Sequence, residues 1–144
     1  MRLRGWRRCN CDVGGNFQFD KVKLRMNSVE LQKRTKSLAA QVIDFVEHLP
    51  RNYACEVIGK QLIRCATSVA ANYRAAGRAR SRADFTYKLG IVEEEADETL
   101  FWFEMLREAK KINEAKARDL IQEVKEIVGI FSAAHKTAKS NRGK

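Results

Sequence analysis

From Ser28 onward, apolar residues recur at alternating spacings of three and four positions, which is typical of helices with one buried face. The first such segment runs from about Ser28 to His48. Its predicted core positions are Leu31, Thr35, Leu38, Val42, Phe45 and Leu49. Pro50 ends the segment, because the residue before a proline avoids the helical conformation. The pattern therefore predicts an amphipathic helix here.

Three further segments show the same spacing. They run from about Ala54 to Arg80, from about Arg82 to Lys110, and from an N-cap at Asn113 to about Lys136. The predicted core positions are Ile58, Leu62, Cys65, Val69, Asn72 and Ala76 in the second helix, Phe85, Leu89, Val92, Ala96, Thr99, Phe103 and Leu106 in the third, and Ala117, Ile121, Val124, Val128, Phe131 and His135 in the fourth. Four such helices joined by short loops predict an all-α fold, an antiparallel up-down-up-down four-helix bundle.

The bundle is predicted to occupy residues 26–137 as one domain. Residues 1–25 show no sustained period, and residues 1–27 contribute half of the formal net charge of +10. This basic extension is interpreted either as a dangling arm or as sequence upstream of a translation start at Met26. Residues 138–144 form a polar tail that we expect to fray.

The location of the protein is predicted to be cytoplasmic, with no membrane contact. No run approaches 18 consecutive apolar residues, so nothing in the sequence is expected to span a bilayer. The four cysteines, Cys9, Cys11, Cys55 and Cys65, have neither a zinc-site spacing nor a spacing that favours a disulfide. Reduced thiols are therefore expected.

Four arginines surround the predicted turn between the second and third helices: Arg74, Arg78, Arg80 and Arg82. Gly77 and Ser81 mark this turn, and Ser81 with Asp84 has the form of a capping box. A basic corner of this kind suits phosphate groups without base specificity. The alternative is that these arginines bond the last carbonyls of the second helix and pair with nearby acids. Tyr73 and Tyr87 are the aromatic residues near enough to stack on bases.

Asn72 falls on the predicted apolar seam of the second helix. An amide at such a position fixes helix register when its hydrogen bonds are met. The alternative is a local bond or a cap on a neighbouring loop. Either way, the predicted role of Asn72 is structural.

Three consecutive aromatic residues, Phe101, Trp102 and Phe103, sweep about 200° of the third helix, because neighbouring residues point about 100° apart. That is wider than one core-facing stripe. A thick core with Trp102 at its margin is one interpretation. The other is an oligomer interface formed by Phe101, Trp102 and Met105, since large exposed apolar patches mark interfaces.

The one acidic cluster, Glu93 to Glu95 with Asp97 and Glu98, is predicted to be a solvated face that pairs with arginines of a neighbouring helix or subunit. The two histidines, His48 and His135, do not follow a glutamate at the spacing used by di-iron bundles. His135 is assigned to packing or to the end of the fourth helix. We therefore predict no catalytic residues, no metal and no cofactor.

One long stretch, Ser68 to Leu106, reads SVAANYRAAGRARSRADFTYKLGIVEEEADETLFWFEML and closely resembles the four-helix-bundle proteins called 23S rRNA intervening-sequence proteins. The similarity extends over about Val29 to Ala134. Its most specific part is Ala71-Asn72, Gly77-Arg78 and the region of Phe85. Where this family often has a glutamate before that glycine, the chain has Ala76. Similar proteins typically start near Met26.

The resemblance implies a compact bundle. Relatives in the same family include the accessory protein of diversity-generating retroelements, a pentameric barrel with a basic surface that binds nucleic acid and a reverse transcriptase. By resemblance, the chain is expected to form a homo-oligomer, and a pentamer in particular.

The leading functional hypothesis is a non-enzymatic homo-oligomer that binds RNA or DNA through phosphates. The expected contacts are Arg74, Arg78, Arg80 and Arg82, supported by Lys60, Arg64 and Lys88. The second hypothesis is an interaction scaffold whose protein partner docks on the aromatic surface of the third helix.

Overall fold

A computed structural model describes residues 17–141 of the chain, with the side chains of residues 28–115 and 117–141. It contains four helices: α1 (Phe17–Glu47), α2 (Tyr53–Ala76), α3 (Arg82–Glu108) and α4 (Glu114–Ser140). Helix α2 packs between α1 and α3, α3 packs on α4, and a smaller contact between α4 and α1 closes the bundle. Residues 17–141 contain no strand, so the predicted all-α four-helix fold is confirmed.

The core follows the predicted seams of three helices closely. Phe103 of α3 and Phe131 of α4 are fully buried, and so are Leu38 and Val42 of α1. The buried threonines of the seams, Thr35 and Thr99, place their hydroxyls on backbone carbonyls of the preceding turn. These bonds satisfy the polar atoms inside the core, so threonine fits an otherwise apolar stripe.

The predicted seam of α2 is wrong at Asn72. That residue is only half-buried, whereas Tyr73 is 6% exposed and packs edge-on against Phe131 at a centroid distance of 4.9 Å. An α-helix drifts about 20° per heptad relative to a strict seven-residue repeat. Over α2 this drift carries Asn72 off the core and brings Tyr73 into it. The Asn72 amide instead donates to the carbonyl and hydroxyl oxygens of Ser68, which is the local alternative.

The helix ends differ from the predicted ones at several places. Helix α1 begins at Phe17, inside the segment assigned to the extension, because no proline or glycine interrupts residues 17–47. Residues 1–16 of that extension lie outside the described part. Helix α3 ends at Glu108, since Lys110 adopts a left-handed φ of 53°. Helix α4 continues to Ser140, past the predicted start of the tail, and residues 142–144 lie outside the described part.

The turn between α2 and α3 is built as the capping pattern predicts. The Ser81 hydroxyl accepts from the Asp84 amide at 3.1 Å, and the Asp84 carboxylate accepts from the Arg80 amide at 3.1 Å. Gly77 has an ordinary helical φ of −62°, so it is not required for an unusual backbone conformation. It permits a close approach: a Cβ there would lie 3.0 Å from Nε2 of Gln32 on α1. Because α2 ends at Ala76, four residues before the predicted end at Arg80, Arg78 and Arg80 lie in the turn itself.

Candidate functional site

The turn between α2 and α3 forms the floor of a shallow depression of about 550 Å³ at one end of the bundle. Its lining residues are Ala75, Arg78, Arg80, Ser81, Asp84 and Lys88. Three of the six carry positive charge and one carries negative charge. We refer to Arg74, Arg78, Arg80, Arg82 and Lys88 together as the basic corner.

The four arginines of the basic corner are all exposed. Arg78 and Arg80 lie in the turn, and Arg74 lies in the last turn of α2. Within the described side chains, none of the four forms an ion pair with a carboxylate. Arg82 donates to the backbone carbonyl of Asn141 at 3.2 Å, so its guanidinium also holds the end of α4 against the start of α3.

Asp84 is the only acid that lines the depression. One of its oxygens caps the Arg80 amide, and the other lies 3.6 Å from the Lys88 ammonium. Lys88 therefore offsets the charge of Asp84, while Arg78 and Arg80 supply the net positive charge of the depression. Asp84 thus has two roles: it caps the backbone of the turn, and it offsets one positive charge of the depression.

The bond between Arg82 and Asn141 brings the end of α4 to the basic corner. Two exposed lysines of α4, Lys136 and Lys139, consequently lie at the same end of the bundle. They are absent from the sequence-predicted set. The sequence signal for them is topological, because the end of the fourth helix must meet the start of the third in an antiparallel bundle.

Arg64 and Lys60, which were predicted as supporting contacts, lie elsewhere on the molecule. Within α2, about 15 Å of helix separates Arg64 from Arg74, the nearest arginine of the basic corner, at 1.5 Å per residue. The Arg64 guanidinium binds Glu98 and lies 3.4 Å from a Glu95 oxygen on α3. Hydrogen bonds from Arg64 and then from Trp102 lower the pKa of Glu98. Arg64 therefore links α2 to α3 and does not extend the basic corner.

The one group of possible metal donors among the described residues lies beside Arg64. It consists of Cys65, Glu95 and Glu98, whose donor atoms lie within 4.8 Å of one another. The Arg64 guanidinium already bonds both carboxylates and lies 3.2 Å from the Cys65 sulfur. Burial, foremost, raises the pKa of the Cys65 thiol to about 12. A thiol held protonated is a poor metal ligand and a poor nucleophile.

Acidic residues of this cluster bond to two different helices, α2 and α4, and do not form one solvated face. This corrects the prediction for Glu93. The Glu93 carboxylate accepts from the Ser132 hydroxyl at 2.6 Å and lies 2.5 Å from Nδ1 of His135, both on α4. Burial acts to raise the pKa of Glu93, but the hydrogen bonds from Ser132 and His135 lower it overall. Because the serine bonds the carboxylate and not the imidazole, this cluster lacks the order of a nucleophilic triad.

The predicted interface residues on α3 have different environments. Phe101 is 47% exposed and Met105 is 36% exposed, so both lie on the outside of the bundle. Trp102 is partly buried against the core, and its indole N–H donates to Glu98 at 3.2 Å. Phe101 packs edge-on against Trp102 with the ring centroids 5.0 Å apart. The exposed apolar surface of this part of α3 is therefore formed by Phe101 and Met105, and Trp102 packs against Phe101.

Of the two tyrosines near the basic corner, only Tyr87 is available for stacking. Tyr87 is 67% exposed, whereas Tyr73 is buried in the core. Burial raises the pKa of Tyr73 above its ordinary value. Residues 17–141 contain no helix with the length and apolar character needed to cross a membrane.

Residues 27–133 match the family model described as 23S rRNA-intervening sequence protein. A crystal structure of a protein with unknown function from the S23 ribosomal protein family of Bacteroides thetaiotaomicron VPI-5482 is similar in fold, with a TM-score of 0.68 and 28% sequence identity. The match covers 76% of this chain and 97% of that one. No curated protein matches the chain in sequence.

Proposed function

The chain belongs to the 23S rRNA-intervening sequence protein family, and from that premise we propose that it is a non-enzymatic homo-oligomer that binds RNA or DNA through the phosphates at its basic corner. The proposal rests on the exposure and the lack of acidic partners of four arginine side chains. Arg74, Arg78, Arg80 and Arg82 are exposed, close in sequence and without a carboxylate partner among the described residues. Arginines held in this state are available to an external anion.

Two features of the corner favour a phosphate backbone over a small anion. The depression is shallow and open, so it does not enclose a ligand on all sides. Positive charge continues beyond it to Arg82 and to Lys136 and Lys139 of α4. A chain of phosphates can follow such a surface, and every cation it meets releases a counterion and adds to the affinity.

The corner supplies little that would read a base sequence. Guanidinium and ammonium groups position a nucleic-acid backbone, whereas specificity needs contacts to base edges. Tyr87 is the exposed ring closest in sequence to the corner, one turn beyond Arg82–Asp84 on α3, and it suits a single unpaired base. We therefore expect affinity for single-stranded RNA with weak sequence preference.

The proposal is tested with a fluorescently labelled single-stranded RNA of mixed sequence, titrated over a series of salt concentrations. Replacing Arg78 and Arg80 by glutamate removes the two cations of the turn. We expect a large loss of affinity at low salt, and a salt dependence less steep by about 1.4 in log–log slope for two lost phosphate contacts.

The matched control is Arg118→Glu with Lys125→Glu on the exposed face of α4, which changes the net charge equally. Binding by the control should stay close to that of the unchanged protein. Absence of RNA binding at low salt, or equal losses in the two double variants, would overturn the proposal. Equal losses would mean that total charge, and not the corner, attracts the RNA.

A second candidate function, an interaction scaffold, is favoured by the exposure of Phe101 and Met105 on α3. These side chains lie near the opposite end of the bundle from the basic corner. Phe101→Ser would then abolish binding of a protein partner and leave RNA affinity unchanged. Loss of RNA affinity in this variant would argue against two separate surfaces.

A further inference from the structure

Four hydroxyl side chains of the chain lie three residues after an arginine: Ser28, Ser37, Thr67 and Ser81. Protein kinases that are directed by arginine recognise this spacing, because acidic groups of the kinase pair with the guanidinium. The spacing alone does not distinguish the four residues from one another. Their positions in the fold do.

Three of the four hydroxyls lie inside helices. Ser28 and Ser37 belong to α1, and Thr67 belongs to α2. A kinase must align the hydroxyl with the γ-phosphate of ATP in its cleft, so a helical segment has to unwind and lose backbone hydrogen bonds before it can react. The Thr67 hydroxyl also donates to the carbonyls of Ile63 and Arg64. These three positions are therefore poorly placed for modification.

The arginines that precede two of the helical hydroxyls are already paired. Arg34 bonds two glutamates of α4, and Arg64 bonds Glu98 of α3. A guanidinium held by carboxylates of its own chain is not free to pair with those of a kinase. Ser37 and Thr67 therefore have the arginine at the right spacing without having it available.

Ser81 differs from the helical residues in both respects. It lies in the turn before α3 and has an extended backbone, with φ −149° and ψ 166°. The residue is exposed, and so are Arg78, Arg80 and Arg82 around it. None of these three guanidiniums pairs with a carboxylate among the described side chains. Ser81 is thus presented on an accessible, non-helical segment among available arginines.

The space beside Ser81 suits a phosphate group. Ser81 lines the depression of about 550 Å³ together with Arg78, Arg80 and Lys88. A phosphate on the Ser81 oxygen carries a charge of about −2 at neutral pH and three acceptor oxygens, which match guanidinium and ammonium donors. Asp84 repels such a phosphate, but the Lys88 ammonium lies 3.6 Å from the Asp84 carboxylate and offsets its charge. The surroundings of the hydroxyl therefore favour the modified residue.

We propose that Ser81 is a phosphorylation site and that its modification switches off nucleic-acid binding at the basic corner. The switch rests on the proposed function, whereas the site does not. The five cations of the basic corner and Asp84 carry a net charge of +4. A phosphate of about −2 halves that charge. It also occupies the guanidinium donors that a phosphate of RNA would use.

The modification is a phosphoryl transfer from Mg²⁺-bound ATP, catalysed by an arginine-directed serine kinase. The Ser81 oxygen attacks the γ-phosphorus, the bond between that phosphorus and the β–γ bridging oxygen breaks, and ADP leaves. The hydroxyl proton passes to the catalytic carboxylate of the kinase. Hydrolysis by a phosphatase restores the hydroxyl and releases inorganic phosphate, so the basic corner regains its charge.

The first test locates the modification on the full chain. The protein is incubated with Mg²⁺, ATP and the catalytic domain of an arginine-directed serine kinase, and its intact mass is followed. We expect one added phosphoryl group, which peptide fragmentation places at Ser81. Ser81→Asn should gain none, because asparagine lacks a hydroxyl but still caps a helix. Ser37→Ala is the matched control, since it removes a helical serine with the same arginine spacing, and it should gain one.

The second test measures the affinity of each protein for labelled single-stranded RNA before and after kinase treatment. The unchanged protein and Ser37→Ala should lose affinity by about tenfold or more at low salt, with a log–log salt slope less steep by about 1.4 for two lost phosphate contacts. Ser81→Asn should bind RNA equally well with and without treatment. A phosphatase should restore the affinity of the treated unchanged protein.

Different results would overturn the two parts of the inference. A chain that gains no phosphoryl group, or gains it at a helical hydroxyl in place of Ser81, would overturn the site. A protein phosphorylated at Ser81 that binds RNA as tightly as the unmodified one would overturn the switch. If the unmodified protein binds no RNA, the proposed function fails, while the mass measurement still decides whether Ser81 is the site. The two failures are therefore distinguishable.

Discussion

His135 and Glu93 join α4 to α3 through a distance of 2.5 Å between the imidazole Nδ1 and a carboxylate oxygen. Because an ionised carboxylate only accepts hydrogen bonds, Nδ1 carries the proton and donates it. The His135 side chain is 14% exposed and that of Glu93 is 31% exposed. The ring lies against Gly90, where a Cβ would come within 3.1 Å of its Cε1 atom. Because Gly90 has no side chain, the His135 ring can lie this close to α3.

Glu93→Gln should lower the free energy of unfolding by about 1 to 2 kcal/mol, because the carboxylate accepts from two partly buried donors that a neutral amide serves less well. Urea denaturation followed by circular dichroism measures the change. Glu94→Gln on the exposed neighbouring position is the control and should shift the free energy of unfolding by less than about 0.5 kcal/mol. Equal effects of the two variants would contradict the assigned role of Glu93.

The contribution of Glu93 should depend on pH in a defined direction. Its pKa is lowered in the folded state, so its contribution to stability is present above the unfolded pKa of about 4.3 and is lost as the pH falls through the folded pKa. The difference in unfolding free energy between the unchanged protein and Glu93→Gln should therefore shrink as the pH falls below about 4. A difference that stays the same or grows between about pH 4 and pH 2 would contradict this assignment.

Two helical glycines should respond oppositely to alanine. Nothing lies within 4 Å of a Cβ built at Gly129, so Gly129→Ala should stabilise the protein by about 0.5 to 1 kcal/mol through helix propensity. At Gly59 a Cβ would lie 2.7 Å from Cγ1 of Val46 on α1, so Gly59→Ala should destabilise it by about 1 to 3 kcal/mol. Thermal unfolding of the two variants checks both signs. Stabilisation by Gly59→Ala would show that the α1–α2 contact is looser than described, and destabilisation by Gly129→Ala would contradict the open space at that position.

Arg34 is expected to matter more than an ordinary surface arginine. Its guanidinium donates to both oxygens of Glu123 at 2.6 and 2.8 Å and to Glu126, all across the α1–α4 contact. Arg34→Ala should cost about 1 kcal/mol of stability after allowing for solvent screening at this partly exposed site. Arg34→Lys should recover only part of it, because an ammonium cannot form the two-pronged bond.

The measurement for Arg34 is urea denaturation, with Lys33→Ala as the control on the exposed side of the same helix. The difference between Arg34→Ala and the unchanged protein should diminish at high salt. Indistinguishable stabilities for Arg34→Ala and Lys33→Ala would show that the ion pair adds nothing to closure of the bundle. Full recovery by Arg34→Lys would show that charge alone is sufficient.

The seams of α1, α3 and α4 could be predicted because burial of one face dominates the choice of residue at every third or fourth position. The capping box at Ser81 and Asp84 could be predicted because it depends on residues three apart on one segment. Asn72 was misplaced, since a heptad count ignores the drift of a straight helix and only packing against Phe131 selects Tyr73.

The candidate site divides in the same way. The arginines of the corner were predictable from their spacing around a turn. Arg64 belongs to an ion pair between α2 and α3. This pairing depends on how the two helices are rotated about their axes, and the order of residues along α2 does not specify that rotation. The arrival of Lys136 and Lys139 at the corner depends on where α4 ends relative to α3.

The amino-acid sequence by itself determined the four helices, their order, most of their buried positions and the chemistry of the α2–α3 turn, because these follow from local propensity and from the periodicity of one chain segment. The tertiary structure decided which charges are paired and which are available to a partner. Glu93 bonds α4, Arg64 bonds α3, and the arginines of the corner have no carboxylate among the described residues. The physical reason is that pairing requires two helices to bring their side chains within a few ångströms, and that distance is set by packing of the whole bundle.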